Sequence, residues 1–287
     1  MKFNVKVAIF FLCLATVSAR TPFENQLRLA KSGDPIVQNL LGKAYFDGEN
    51  TSENFSEALK WFKLSADQNH SPAQYNLGLM YFYGHGVLQS YQKAIFWFQK
   101  AAEQNHVEAQ YELGYIYRFG LGVERNHEHS ANWFSRSASQ NKMQAQFDLA
   151  VNFNMGKGVP RDEHTAFLWF EKAAENGHAA AQYNLGLMYF NGVGVEQSYE
   201  EAIEWFIKAS KSGMVEAQFK LGKMYRHAEG TQQDFVKALM WFEIAATNSH
   251  REAVAAADEV ATFRMSSDEV NHSIALAEHW LQQRSIQ

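Results

Sequence analysis

The chain repeats itself every 36 residues, and this period constrains its fold more than any other feature. Trp61, Trp97, Trp133, Trp169, Trp205 and Trp241 keep the step, each followed by Phe (Phe62, Phe98, Phe134, Phe170, Phe206, Phe242). Ala73, Ala109, Ala145, Ala181, Ala217 and Ala253 keep it too, as do Leu41, Leu77, Leu113, Leu149, Leu185 and Leu221. Gly42, Gly78, Gly114, Gly186 and Gly222 follow five of those leucines, and Ala150 fills the missing place. The stretch AQYNLGLMYF stands at both 73–82 and 181–190, and 20 of the 26 positions in 73–98 recur in 181–206, as after a duplication. A unit this short cannot bury its apolar face alone, whereas stacked copies share a continuous core.

Each period reads as two helices. In the second unit, helix A is expected from about Pro72 to Tyr83, with Ala73, Leu77 and Tyr81 on one face at i, i+4 and i+8. Gly78 removes a side chain beside that face, so a neighbouring helix can approach closely. The turn GHGV, 84–87, ends helix A through glycine's access to positive φ, and G-x-G-V recurs at Gly120, Gly156 and Gly192. Helix B then starts behind Asn54, Ser90, Asn126, Asp162, Ser198 or Asp234, all N-capping residue types. Asn54 with Glu57 and Ser198 with Glu201 have capping-box spacing. Helix B carries Ala94, Trp97, Phe98, Ala101 and Ala102 toward helix A and the next unit, small residues beside large ones.

The pattern AQYNLG-x-x-Y-x-x-G-x-GV followed by KA-x-x-WF-x-KAAEQNH resembles the Sel-one-like repeat, a branch of the tetratricopeptide superfamily, over six units from about Asp34 to His250. The resemblance implies an all-α, right-handed superhelical solenoid of antiparallel helix pairs, used mainly as an interaction scaffold, with helix A lining the concave surface. Disulfide-rich bacterial members carry a Cys pair in each repeat, and this chain lacks those cysteines, so a cell-wall or β-lactam hydrolase activity proposed for that subgroup transfers poorly. The expected organisation is a signal peptide at 1–19, an N-terminal capping helix at 20–36, six repeats at 37–252, and a C-terminal half-repeat with capping helix at 253–287.

The first residues, MKFNVKVAIFFLCLATVSA, combine Lys2 and Lys6, an apolar run from Val7 to Val17 and small residues before Ala19, the pattern of a secretory signal. The expected protein is therefore exported, periplasmic or secreted, with no integral membrane span after signal removal. Cleavage after Ala19 removes the only cysteine, Cys13, and takes the formal charge from −5 to −7. That rules out thiolate chemistry and disulfides in the mature chain. An acidic chain without clustered Lys and Arg also argues against nucleic acid as a partner.

Four histidines, His70, His106, His178 and His250, share one repeat position where helix B ends. Equivalent places in stacked pairs are separated by about 8–10 Å, too far for two imidazoles to share one ion, so a polar turn residue against the helix C-terminus is the expectation and no metal site is assigned. His127 and His129, two apart on a helix, point to different sides. The tryptophans read as core, and the glycine turns lack the Lys-Ser/Thr of a phosphate loop. No nucleophile has a base at a recognised spacing, so neither an enzyme nor a cofactor is expected.

What varies inside the period marks a candidate partner surface. Two helix-A places read Lys43/Phe46, Leu79/Phe82, Tyr115/Arg118, Val151/Asn154, Leu187/Phe190 and Lys223/Arg226 along the array. From these, Leu79, Phe82, Tyr115, Arg118, Asn154, Leu187, Phe190, Lys223 and Arg226 are expected to hold a protein or peptide ligand in the concave groove, since aromatic and Arg side chains dominate binding hot spots. Tyr75 and Tyr111 sit beside them and can instead pack between repeats. A hydrolase or an envelope polysaccharide-assembly scaffold stands as the alternative function.

Overall fold

The structure, a computed structural model, describes residues 22–285, so the expected signal peptide lies outside the described residues. Fifteen α-helices and no strand occur among them. The helix α1 (Pro22–Lys31) precedes six A/B pairs: α2 (Pro35–Asp47) with α3 (Phe55–Asp67), α4 (Ser71–Tyr83) with α5 (Tyr91–Glu103), and α6 (Val107–Phe119) with α7 (His127–Ala138). The later pairs are α8 (Met143–Met155) with α9 (Glu163–Glu175), α10 (Ala179–Asn191) with α11 (Tyr199–Lys211), and α12 (Val215–His227) with α13 (Phe235–Thr247). The helices α14 (Arg251–Arg264) and α15 (Ser267–Ser285) close the chain, and α15 packs on α13. Two compact units result: one runs through Leu113 and includes Leu121–Val123, the other holds Gly114–Gly120 and the chain from Glu124 onward. Within each, helix A packs on its own helix B, and helix B on the next helix A, as α3 does on α4 and α9 on α10.

All six expected helix-B caps form. Asn54, Ser90, Asn126, Asp162, Ser198 and Asp234 each accept from the backbone N–H three residues on, satisfying a donor that the helix itself leaves unpaired. The reciprocal capping box appears elsewhere, at α15, where Ser266 N donates to Glu269 Oε2 (2.8 Å) and Glu269 N to Ser266 Oγ (3.4 Å). Glu57 pairs with Lys60 instead.

The aromatic pair of helix B divides its labour. The phenylalanine is the core residue: Phe98, Phe134, Phe206 and Phe242 are fully buried, and Phe62 and Phe170 nearly so. Each glycine behind the helix-A leucine leaves room for that ring, since a Cβ on Gly78 would stand 2.6 Å from Phe98 Cδ1. The tryptophans are less uniform than the sequence suggests. Trp61 and Trp241 are buried, but Trp97, Trp133, Trp169 and Trp205 are only half-buried. A cation three residues later covers each exposed face, with Lys208 Nζ 3.7 Å from the Trp205 ring centroid and Lys172 Nζ 4.3 Å from Trp169.

A second fixed residue ties three helices together. The Gln after the helix-A alanine is buried in every unit: Gln38, Gln74, Gln110, Gln146, Gln182 and Gln218. Its Nε2 donates to a carbonyl eight residues back at the end of the preceding helix B, as Gln74 does to Ala66 (3.3 Å) and Gln182 to Ala174 (3.1 Å). Its Oε1 accepts from the residue thirty positions on, as from Gln104 (2.7 Å), Asn176 (3.0 Å) or Asn248 (3.2 Å). One amide thus satisfies a C-terminal carbonyl of one helix B and braces the end of the next.

Candidate functional site

The helix-A surface is built by the places that the fold leaves free to vary. In the first unit, Lys43, Phe46 and Asp47 of α2 and Asn76 and Leu79 of α4 enclose a cleft of about 180 Å³ floored by Phe62. Asn76 Nδ2 donates to Asn39 Oδ1 (2.9 Å) beside it. Leu79 is half-buried at the rim. Phe82 is different: only 8 % exposed, it packs edge-on against Tyr91 and near Phe98, so this ring supports the core.

In the second unit, Tyr115 is 38 % exposed and its ring lies 4.6 Å from that of the still more exposed Phe119. Arg118 reaches from α6 to α8, where it pairs with Asp148, donates to Asn152 Oδ1 (3.1 Å) and lies over the Phe134 ring (4.7 Å). Arg226 is likewise paired, with Glu259 of α14. Both guanidinium groups therefore brace adjacent helices as well as facing the surface. Asn154 is half-buried near the end of α8. Phe190 packs against Tyr199 (5.1 Å) and carries Lys220 Nζ over its ring at 3.3 Å. Leu187 and Lys223 line a cleft of about 280 Å³ with Tyr183, Glu216, Phe219, Lys220, His250 and Glu252. Lys220, Phe219 and Tyr183 were not among the residues expected there. The structure couples two of these surface places to a residue thirty positions later, Arg118 with Asp148 and Phe190 with Lys220, whereas Arg226 pairs thirty-three positions on with Glu259.

The neighbouring aromatic place belongs to the packing between repeats. Tyr75 stacks on His106 (4.7 Å), Phe147 on His178 (4.4 Å) and Phe219 on His250 (4.3 Å). The repeated histidines thus differ from the sequence expectation. They stand at the start of the following helix A, and their backbone N–H groups, not their side chains, bond to the end of helix B. His106, His178 and His250 accept through Nδ1 from the N–H of Ala109, Ala181 and Ala253 at 3.2–3.3 Å, which requires that nitrogen to be unprotonated. Burial holds His70, His106 and His178 below the ordinary imidazole value, against the opposing pull of Asp34, Glu108 and Asp148 respectively. Among the described residues no group of three or more His, Cys, Asp or Glu side chains is placed to hold a metal ion. No helix among them is long and apolar enough to cross a membrane.

Capped helix pairs stacked through invariant core places, with a variable helix-A surface, define an all-α repeat solenoid of the kind that presents interaction surfaces. The chain belongs to the Sel1 repeat family: that family's sequence profile matches residues 35–70, 71–106, 107–142, 144–178, 179–214 and 215–250. Proteins built from these repeats generally mediate protein–protein interaction. Among solved structures, it is similar to a protective antigen present in uropathogenic Escherichia coli strains that displays an SLR fold, with 31 % identity over 92 % of this chain and 56 % of that one, at a TM-score of 0.81. It is also similar to a Sel1 repeat protein from Oxalobacter formigenes, 30 % identical over 78 % of this chain and 87 % of that one, at a TM-score of 0.63. A sel1-like repeat-containing protein of Acanthamoeba polyphaga mimivirus is 45 % identical over 47 residues, 16 % of this chain and 8 % of that protein. The chain thus spans little more than half of the E. coli protein and a small part of the viral one.

Proposed function

We propose that this protein is an exported, non-enzymatic scaffold that binds a protein or peptide ligand on its helix-A surface, the surface that the family pattern makes concave. The observation that carries this reading is the contrast within one period. The Leu, Gln and Phe places hold the same residue in all six repeats and are buried, whereas the place of Leu79, Tyr115, Leu187 and Lys223 differs along the array and reaches solvent. A fold needs the first set; the second is left free to differ and to reach solvent, as a recognition surface requires. The signal-like residues 1–19 support action in the periplasm or outside the cell.

Site-specific photo-crosslinking tests the reading. A photoreactive residue at Tyr115 or Lys223 is expected to trap a partner polypeptide in the native compartment, whereas one on the outer side of helix B, at Gln92 or Glu204, is not. Crosslinks confined to the helix-B positions would overturn the assignment of the surface. Mass spectrometry of the mature N-terminus tests export, which predicts a chain beginning at Arg20.

A further inference from the structure

We propose that the cleft formed by α10, α12 and the start of α14 seats a carboxylate-bearing residue of a peptide ligand between Lys220 and Lys223, with an apolar neighbour of that residue resting on Leu187 and Tyr183. This deepens the function proposed above and rests on the helix-A surface taking a peptide. Three observations carry it.

The first is that the two cations lack an ion-pair contact. The two arginines of this surface are neutralised by Asp148 and Glu259, yet among the described residues neither Lys220 nor Lys223 forms an ion pair. Glu216 stands one helical turn before Lys220, where a Glu–Lys pair is favourable, but Lys220 lies over the Phe190 ring instead. Burial depresses the Lys220 ammonium's pKa; Glu229 opposes that effect and Lys223 adds to it. The Lys220 ammonium thus has a ring face and the field of Glu229 against it but no carboxylate in contact, and an incoming carboxylate supplies one.

The second is position within the repeat. The places of Lys220 and Lys223 hold Leu40 and Lys43, Asn76 and Leu79, Glu112 and Tyr115, Asp148 and Val151, or Asn184 and Leu187 in the five preceding repeats. The fold therefore does not require lysine at either place, and only this repeat has a cation at both.

The third is size and surroundings. A cleft of about 280 Å³ falls at the small end for ligand sites and suits one or two amino-acid side chains. Glu216 and Glu252 share its lining and repel a polyanion, so a single carboxylate flanked by uncharged or basic residues fits where a nucleic acid or a sulfated glycan does not. Aromatic and leucine side chains beside the lysines give the flanking residue an apolar seat.

The test compares two blocked tripeptides, acetyl-Leu-Glu-Leu-amide and its Gln counterpart, titrated into the full chain while the lysine side-chain NMR resonances are followed. The Glu peptide is expected to shift the Lys220 and Lys223 signals and to bind about tenfold more tightly than the Gln peptide, the scale of a charge-assisted hydrogen bond. In K220M/K223M that preference disappears while Gln-peptide binding is unchanged; in K208M, outside the cleft, the preference persists. Equal binding of the two peptides to the unmodified chain, no shift at either lysine, or a preference that survives K220M/K223M overturns the proposal. So does inorganic phosphate binding as tightly as the Glu peptide, which would make the cleft a general anion site. Because the lysine signals are read on the unmodified chain, a misfolded variant does not blunt the test. Partner crosslinks at Tyr115 together with no Glu preference would leave the scaffold reading standing and remove only the carboxylate seat.

Discussion

The two glycines of the G-x-G-V turn look equivalent in sequence but should respond very differently to alanine. Gly84 lies at φ 78° and Gly86 at φ 67°, both in the left-handed region. A side chain there costs about 1–2 kcal/mol in backbone strain, of which roughly 0.4–1 kcal/mol is recovered because alanine restricts the unfolded chain. At Gly84 less is added: a Cβ would meet Gln89 Cβ at 3.3 Å, a tight contact that a shift of a few tenths of an ångström relieves, with Gln89 N and Val87 O at 3.5 Å. At Gly86 the same atom would lie 2.7 Å from Phe55 Cβ and 2.9 Å from Phe55 O, at the first turn of α3. Separating backbone from backbone there adds about 1–3 kcal/mol of overpacking. Gly84→Ala should therefore cost about 1 kcal/mol and Gly86→Ala about 2–4 kcal/mol. The chain already contains part of this comparison. Ala228 stands in the place of Gly84 at φ 59°, whereas the place of Gly86 holds Gly122, Gly158, Gly194 and Gly230, with Asn50 in the first repeat at φ 57°. Urea unfolding followed by far-UV circular dichroism measures both variants, with equal slopes as the condition for comparing midpoints. Hydrogen exchange should place the extra loss at the start of α3. If the two variants fall within about 0.5 kcal/mol of each other, the loop does not hold the preceding helix B as closely as described here.

Two further outcomes follow from the core and its caps. Phe206→Ala, which empties a fully buried site, should cost about 3–5 kcal/mol; Trp205→Ala, half-buried under Lys208, should cost about half as much, and a Trp205 loss equal to or above the Phe206 loss would refute the division of roles. Stability should also fall on acidification below about pH 6.5. His70, His106 and His178 have folded pKa values below the unfolded one, so the unfolded chain takes up protons first, and their contribution is complete above the unfolded pKa and lost as pH falls toward the folded values. Urea midpoints across that range should drop for the natural chain and flatten in H106N/H178N, where asparagine caps without titrating; parallel curves would refute it.

Helix pairs, their register and their caps could be read from the sequence because each depends on local chemistry repeated six times. Asn54 or Ser198 caps through an N–H three residues away, and Gly84 ends a helix by its own φ. The buried glutamines show why other features could not. Gln74 looks like a polar residue in the first turn of a helix, where solvent exposure is the ordinary expectation. Its partners are Ala66 and Gln104, on two helices that the stacking alone brings to it. The tryptophans erred in the other direction. Size and fixed spacing suggested core, but the smaller ring beside them fits the gap left by Gly78 or Gly186, and the indole is displaced to the margin, where a lysine covers it.

The candidate surface was legible as a set of places but not as chemistry, and the reason lies in the offset of thirty residues. A variable place on one helix A abuts a place thirty positions on, so its character depends on a residue that the 36-residue alignment puts in a different column. Arg118 reads as a hot-spot cation until Asp148 is set against it, and the pair then becomes a brace between α6 and α8. Lys220 occupies the place of Asp148 two repeats later, but the residue thirty positions before it is Phe190, which offers a ring face and no carboxylate. The same geometry that forms an ion pair in one repeat therefore sets a ring face against the cation in another. Variation along this array consequently has to be read in couples, and the couple without a carboxylate is the one on which the proposed peptide seat rests.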